Sequence, residues 1–322
     1  MKIALLYDTF ETHNQEYNDL YCDYNDVEAM RAVFNSLINL GHNVTALTDI
    51  HDIRNANFVD YDLVFNVFEG THSRNREALI TGKLELEKIP FVGADAYIGI
   101  VSLDKMLSKL IASHLGIRVP KCLEYAQLSD LNQDIRVLRL PVIVKPCAEG
   151  NSAGTECFQT YEDAECYIRK LLKRYDGRVL CEEFIVGKEL TVPIIGNGDN
   201  AYCLGVAGYQ EQDSDDFWLD YRYKLFGGFT DCVAQIPEES RKQILNQALQ
   251  FYRYICCPDY GRIDFRLSQD GTPYFLELNA YPTLSPHGSF VVLGKELGLD
   301  YNDIIRQIIE AATERISHSK TI

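Results

Sequence analysis

The sequence predicts an α/β and α+β assembly of three units, and three observations carry that expectation. Strand and helix signals alternate through the first third of the chain, long strand-like runs dominate the last third, and Asp270-Gly271 there marks a hairpin. Alternation means a parallel sheet covered by helices, whereas runs joined by tight turns mean antiparallel sheets. A chain of 322 residues can hold two or three such units and bury a sizeable core. The expected divisions are 1–98, 99–180 and 181–322.

In the first unit "KIALLYD" reads as a strand and "VEAMRAVFNSLINLG" has helical apolar spacing, with Gly41 as its stop. "NVTALTD" and "YDLVFNVFEG" follow as strands, and "NREALITGKLELEKI" as an amphipathic helix. The second unit opens on "SLDKMLSKLIASHLG", a helix with Ser102 as candidate cap. Then come the strand "LPVIVKP", the glycine-bearing turn "CAEGNSAGTECFQT", the helix "YEDAECYIRKLLKRY" and the strand "RVLCEEFI". The third unit has strand-like "KELTVPIIGN" and "AYCLGVAGYQ", then "EQDSDDFWLDYRYKLFGGFTD" with little regular signal. A helix at "ESRKQILNQALQFYRYICC", the hairpin "GRIDFRLSQDGTPYFLELN" and the helix "YNDIIRQIIEAATERI" complete it.

Composition narrows the function. The net charge of −16, from 31 basic and 47 acidic residues, repels a phosphate backbone and argues against a general nucleic-acid binder. It leaves room for a nucleotide in one cleft where lysines and metal ions reverse the field. The chain opens on an apolar run without a basic leader, and no stretch approaches bilayer length, so a soluble, cytoplasmic protein with no membrane partner is expected. Its ten cysteines show no CxxC pair or zinc spacing, which speaks against a redox protein; buried, reduced thiols are the expectation.

The hairpin carries the chemistry. A two-residue turn at Asp270-Gly271 sets Gln269 opposite Thr272, Asp264 opposite Glu277, and Arg262 opposite Asn279. With side chains alternating faces, these four project from one face while Ile263, Phe265, Leu276 and Leu278 fill the core. Opposed carboxylates destabilise a ladder, so a cation is expected between them. Two carboxylates and an amide are hard oxygen donors that suit Mg²⁺ or Mn²⁺, shared with substrate phosphates. The alternative is a solvated polar face with Arg262 neutralising the acids.

Lys145 stands at a strand exit before the glycine turn, where an ammonium and exposed backbone N–H groups can meet phosphate. Alone it is an ordinary exposed lysine, as is Lys105 in "SLDK", and Glu182 and Glu189 read singly as surface carboxylates.

Taken together and in order, "VFNVFEG", "LEKIPFVGADAYIGIVSLDKMLSKLIASHLGIRVP", "PVIVKPCAEGNSAG", "VLCEEFIVGKELTV" and "YGRIDFRLSQDGTPYFLELNAYPTLSPHGS" resemble the D-alanine–D-alanine ligase family of ATP-grasp enzymes. The resemblance covers most of residues 61–315. It implies an ATP-grasp fold: an N-terminal parallel-sheet substrate domain, a central lid subdomain and a C-terminal catalytic subdomain gripping ATP. It implies phosphate contacts from Lys105, Lys145, the turn Glu149, Gly150, Asn151 and Ser152, and Lys224 on a closing loop. It gives Glu182 the adenine amino group, with backbone help at Glu183 and Ile185, and gives Glu189 the ribose. Asp264, Glu277 and Asn279 match residues holding two magnesium ions, and Arg262 matches the arginine beside the reacting carboxyl. The implied reaction forms an acyl phosphate, which an amine then attacks to give an amide, ADP and phosphate. A homodimer acting on small amino-acid-like substrates is implied as well.

The nucleotide half of the pattern is intact and the amino-acid half is not. The glycine-containing loop after the family's first strand is here "YDTFETHNQEYNDLYCDYNDVEAM", with Glu11 and Glu16 as candidate ammonium ligands or as solvated acids. Asn151 stands for a serine, Leu225 for a tyrosine, Glu69 for a histidine, and Gly288 for a substrate-binding serine, with Ser289 adjacent. Replacing several paired polar groups changes specificity. The sequence therefore points to an amino-acid ligase with an acid other than D-alanine. A true D-alanine–D-alanine ligase is the second reading, and a nucleotide-binding protein without catalysis the third.

Overall fold

The computed structural model describes residues 1–9, 26–70, 73–175, 177–210 and 230–319. Strands β1 (Lys2–Tyr7), β2 (Asn43–Leu47), β3 (Leu63–Val67) and β4 (Phe91–Val92) form a parallel sheet in the order β2-β1-β3-β4. Helices α1 (Val27–Asn39), α2 (Ile50–Asn55) and α3 (Arg76–Leu86) make the crossovers. Both faces of β1 are covered, so Ile3, Ala4, Leu5 and Leu6 are all fully buried, as an unbroken apolar run requires. The chain leaves β1 for β2 and returns to β3, so the crevice where ligands meet such sheets lies at the carboxyl ends of β1 and β3. Asp8 and Glu69 sit there, and Asp8 accepts the backbone N–H groups of Glu69 (3.1 Å) and Gly70 (2.8 Å).

The segment expected as one helix capped by Ser102 is two helices, α4 (Ala96–Leu103) and α5 (Lys105–His114). Asp104 caps α5 by accepting from the Leu107 N–H at 3.0 Å. A carboxylate accepts this bond as well as a hydroxyl does, and Ser102 is otherwise engaged. Its hydroxyl donates to the Leu278 carbonyl and accepts from the Ala280 N–H, both at 3.0 Å, pinning α4 to the end of the hairpin.

The middle sheet is antiparallel, β5 (Cys122–Tyr125), β8 (Val179–Glu183), β6 (Val142–Pro146) and β7 (Glu156–Phe158) in spatial order. Strand β8 runs across the expected 180/181 division and pairs wholly within this sheet. Helix α6 (Tyr161–Arg174) covers it, with Ala164, Ile168 and Leu171 against Val142, Val144, Val179 and Cys181.

The third sheet is also antiparallel: β12 (Asp231–Val233), β11 (Ala207–Tyr209), β9 (Gly187–Ile195), β13 (Tyr260–Ser268) and β14 (Pro273–Asn279), with β10 (Tyr202–Cys203) beside β9. The run expected as a single strand at 201–210 breaks around Gly205, whose φ of +146° lies in the region that favours glycine and which packs against the Leu293 side chain. Helix α7 (Glu238–Tyr254) packs on this sheet through Ile244, Ala248 and Phe251. Helices α8 (Ser289–Glu296) and α9 (Tyr301–Ser319) return to the first sheet, where Phe290, Ile304, Ile305 and Ile308 share a core with Ile3, Leu5 and Phe65. Of the nine cysteines among the described residues, only Cys147, Cys181 and Cys257 are buried. Cys166 and Cys256 are exposed on the outer turns of α6 and beyond α7, contrary to the expectation of buried thiols throughout.

Candidate active site

The hairpin places its four polar residues as expected, by a different route. The loop has three residues, not two: Ser268 pairs with Thr272 through its N–H (3.0 Å), and Gly271 occupies the left-handed region at φ +81°. That change alone would slide every later pair by one residue. A β-bulge at Leu276 takes up the difference, so that Phe265 faces Phe275, Asp264 faces Glu277 and Arg262 faces Asn279. Phe275, not Leu276, therefore joins Ile263, Phe265 and Leu278 in the core.

On the polar face the Arg262 guanidinium grips Asp264 through Nε (3.0 Å to Oδ1) and its terminal nitrogen (2.9 Å to Oδ2). Thr191 on β9 donates to Oδ1 at 2.6 Å and the Asn279 amide nitrogen to Oδ2 at 2.8 Å. Burial works against the charge on Arg262, yet Asp264 outweighs it and holds the guanidinium above its ordinary pKa. Glu277 is met by Lys105, the first residue of α5, at 3.3 Å. The repulsion between the two acids is thus relieved in part by the chain's own cations.

Lys105 also donates to the Glu149 carbonyl at 2.5 Å, which ties α5 to the glycine turn. Asn151 and Ser152 hold φ of +43° and +61° in that turn, which the Ala153 N–H closes by donating to the Gly150 carbonyl at 2.9 Å. Arg76 of α3, which the sequence reading passed over, donates to the Ala148 carbonyl at 2.9 Å and lies 3.6 Å from the Glu149 carboxylate. At the inner end, Glu182 on β8 and Lys145 on β6 form a buried pair at 2.5 Å. Neither is the surface residue that its segment alone suggests. Burial would push the Glu182 carboxyl up, but Lys109 and Lys145 outweigh it and hold it below its ordinary value. Burial would lower Lys145 too, and Glu182 with Glu277 hold it above.

Glu189 pairs with Arg266 at 3.4 Å, and Arg266 donates to the carbonyls of Ile185 (2.6 Å) and Gly187 (2.8 Å). Glu183 accepts from the Arg139 N–H at 3.0 Å, and its own N–H donates to the Lys121 carbonyl. Lys109 and Arg266 escaped the sequence reading although period gives both away. Lys109 lies four residues beyond Lys105 on one helix face, and Arg266 two beyond Asp264 on one strand face. Gly288 precedes α8 and Ser289 is its buried first residue, with Asp231 the charged group beside Gly288. Glu69 is buried at the carboxyl end of β3, near enough to Tyr260, the first residue of β13, for its charge to add to burial in raising that phenol. Lys224, Glu11 and Glu16, with Leu225, lie outside the described residues.

The donors fit Mg²⁺. Asp264, Glu277 and the Asn279 amide offer hard oxygens on one face. Among the described residues no group of three or more His, Cys, Asp or Glu side chains converges to cage an ion. An ion completed by phosphate oxygens matches such a partial set.

Comparison with known proteins agrees with this geometry. Residues 115–310 match the family described as D-ala D-ala ligase C-terminus. The D-alanine–D-alanine ligase of Nitrosospira multiformis is 32% identical over 245 residues, covering 75% of this chain and 77% of that protein. The chain belongs to the D-alanine–D-alanine ligase family. The Bordetella petrii D-alanine–D-alanine ligase is 29% identical over 262 residues, covering 80% and 77% of the two chains. In fold, the chain resembles the D-alanine–D-alanine ligase from Bacillus anthracis complexed with ATP, with a TM-score of 0.78, 19% identity and 99% of both chains covered. The VanG D-Ala:D-Ser ligase from Enterococcus faecalis gives 0.76 at 20% identity, over 97% of this chain and 99% of that one. The protein is thus an ATP-grasp ligase, an enzyme that forms carbon–nitrogen bonds. No helix among the described residues is long and apolar enough to cross a membrane.

Proposed function

We propose that this ligase condenses two D-amino acids with ATP, D-alanine being the first candidate for both. The observation that carries the reading is the convergence of Lys105, Arg262, Asp264, Glu277 and Asn279 on one face of the β13–β14 hairpin, with Lys145 and Glu182 behind them. A carboxylate oxygen of the first substrate attacks the γ-phosphorus of ATP, and ADP departs. The amine of the second substrate then attacks the acyl carbon, loses a proton, and displaces phosphate carrying that oxygen. Asp264, Glu277 and Asn279 would hold Mg²⁺, which would supply charge neutralisation at the phosphates. Lys105 and Lys145 add fixed positive charge, and Arg262, already oriented by Asp264, stabilises the oxyanion on the acyl carbon. Glu182 presents an ionised, buried acceptor to the adenine amino group, and Glu189 serves the ribose.

The relatives' names favour D-alanine over the different acid that the sequence alone suggests. One observation favours that second reading: Glu69, where the family has histidine, buries a carboxylate beside the first substrate's edge of the sheet. Mass spectrometry of reactions with ATP, Mg²⁺ and each of a panel of D- and L-amino acids tests both. A D-alanyl-D-alanine product supports the proposal. Condensation confined to another acid supports the second reading, and no condensed product from any pair refutes both.

A further inference from the structure

Lys109 is one of the most deeply buried charges in the protein, with its side chain 1% exposed, and nothing in the reading above employs it. It lies one helical turn beyond Lys105 on α5 and points inward. A buried ammonium is retained only where it is paired and hydrogen-bonded. Lys109 has two such partners. Its Nζ donates to the Leu276 carbonyl at 2.9 Å and lies 3.0 Å from Glu182 Oε2.

Each partner has a consequence. Leu276 is the bulged residue of β14, the extra residue that breaks the ladder. Carried on without the bulge, the register of the loop would set Glu277 opposite Ile263 and turn its carboxylate into the core. Lys109 satisfies the bulge carbonyl and so holds the feature that aims Glu277 at Asp264. At Glu182, Lys145 takes Oε1 at 2.5 Å and the Lys109 ammonium stands 3.0 Å from Oε2. Each oxygen of this carboxylate, only 3% exposed, thus meets one ammonium and keeps a further lone pair. That remaining acceptor capacity is what a donor from outside the chain can use.

We infer that Lys109 is a positioning residue that sets both ends of the nucleotide site, fixing Glu182 to accept an amino group from the base and fixing the bulge that presents Glu277 to the metal. The inference rests on the reading of Glu182 as the base contact and of Glu277 as a metal ligand. It makes the enzyme selective for a purine with a 6-amino donor over one with a 6-oxo acceptor, and links that selectivity to the metal through a single side chain.

Calorimetric binding of ATP and of ITP, each with and without Mg²⁺, tests it. In Lys109→Met the preference for ATP over ITP falls about tenfold, a loss in the range of one charged hydrogen bond. The tightening of ATP binding by Mg²⁺ shrinks several-fold in the same variant. Glu182→Gln lowers the base preference by a similar factor and leaves the Mg²⁺ effect as in the wild type. The double variant, which removes opposite charges together and so folds if the single does not, shows a base preference no lower than Glu182→Gln and a weakened Mg²⁺ effect. A merely structural lysine lowers the melting temperature and moves neither quantity. Wild-type preference and Mg²⁺ effect in a folded Lys109→Met or in the double variant relative to Glu182→Gln overturn the inference while leaving Glu182 as the base contact. A wild type indifferent to the base overturns the Glu182 reading and the inference with it.

Discussion

Two buried carboxylates, Glu182 and Asp259, look alike in the sequence and behave differently in the structure. Asp259 follows Pro258 in a left-handed turn at φ +63° and is fully buried. It accepts four hydrogen bonds: from the Gly93 N–H (2.8 Å), from the Asn197 amide (3.2 Å) and two from Arg315 (2.9 and 2.8 Å). Every partner belongs to the chain, and together they tie the end of β4 and helix α9 to the turn before β13. Glu182 meets two lysine ammonium groups, one at each oxygen. The saturated carboxylate is a fastening. The other, with one donor at each oxygen, keeps the lone pairs that the proposed base contact would use.

Asp259→Ala gives the largest expected effect and tests the first half of that contrast. It strands the Arg315 guanidinium and costs about 3–5 kcal/mol of stability, as breaking a buried pair does. Denaturant unfolding should show the loss, while turnover per folded molecule at low temperature stays near wild type. Equal losses of stability and turnover would mean that Asp259 also serves the site. Glu277→Gln should do the reverse: turnover falls roughly a thousandfold, or about 4 kcal/mol in the barrier, with unfolding little changed. Arg262→Met comes next, at about 3 kcal/mol or some hundredfold in kcat. Part of that loss reflects Asp264, which keeps Thr191 and Asn279 as donors but loses its bidentate partner.

The smallest effect concerns pH. Glu182 has a folded-state pKa held below its ordinary 4.5, so it contributes stability that is fully present above that value. The contribution is lost as pH falls through the lower folded value. Acid unfolding of the wild type should therefore steepen below pH 4.5, and Glu182→Gln should lack that part of the slope. An unaltered acid limb would show that the two lysines do not hold the carboxylate ionised.

The same contrast explains what was legible beforehand. Residues that hold charge in a β-ladder must sit at fixed parity, so Arg262, Asp264, Glu277 and Asn279 could be read from alternation and a turn. The register came out right because a longer loop and a bulge offset each other, and nothing in "QDGTPYFLE" announces a bulge. Lysines that cross from one unit to another left a weaker trace, since Lys109 and Lys145 meet Glu182 only after α5, β6 and β8 have packed. Ser102 was misplaced because its neighbour Asp104 caps equally well and the hairpin end claims the hydroxyl. At the edge of the first sheet, Asp8 spends its oxygens on the turn after β3, a contact over sixty residues apart in sequence that no local pattern records. The carboxyl end of that sheet is built from such distant pairings, which local motifs do not record.

Transfer of a labelled oxygen tests the central claim most directly. With heavy oxygen in the carboxylate of the acid substrate, the released phosphate should carry one labelled atom for each amide formed, because that oxygen bridges carbon and phosphorus in the acyl phosphate. Unlabelled phosphate alongside labelled ADP or AMP, or alongside an amide that forms without ATP cleavage, would contradict the account.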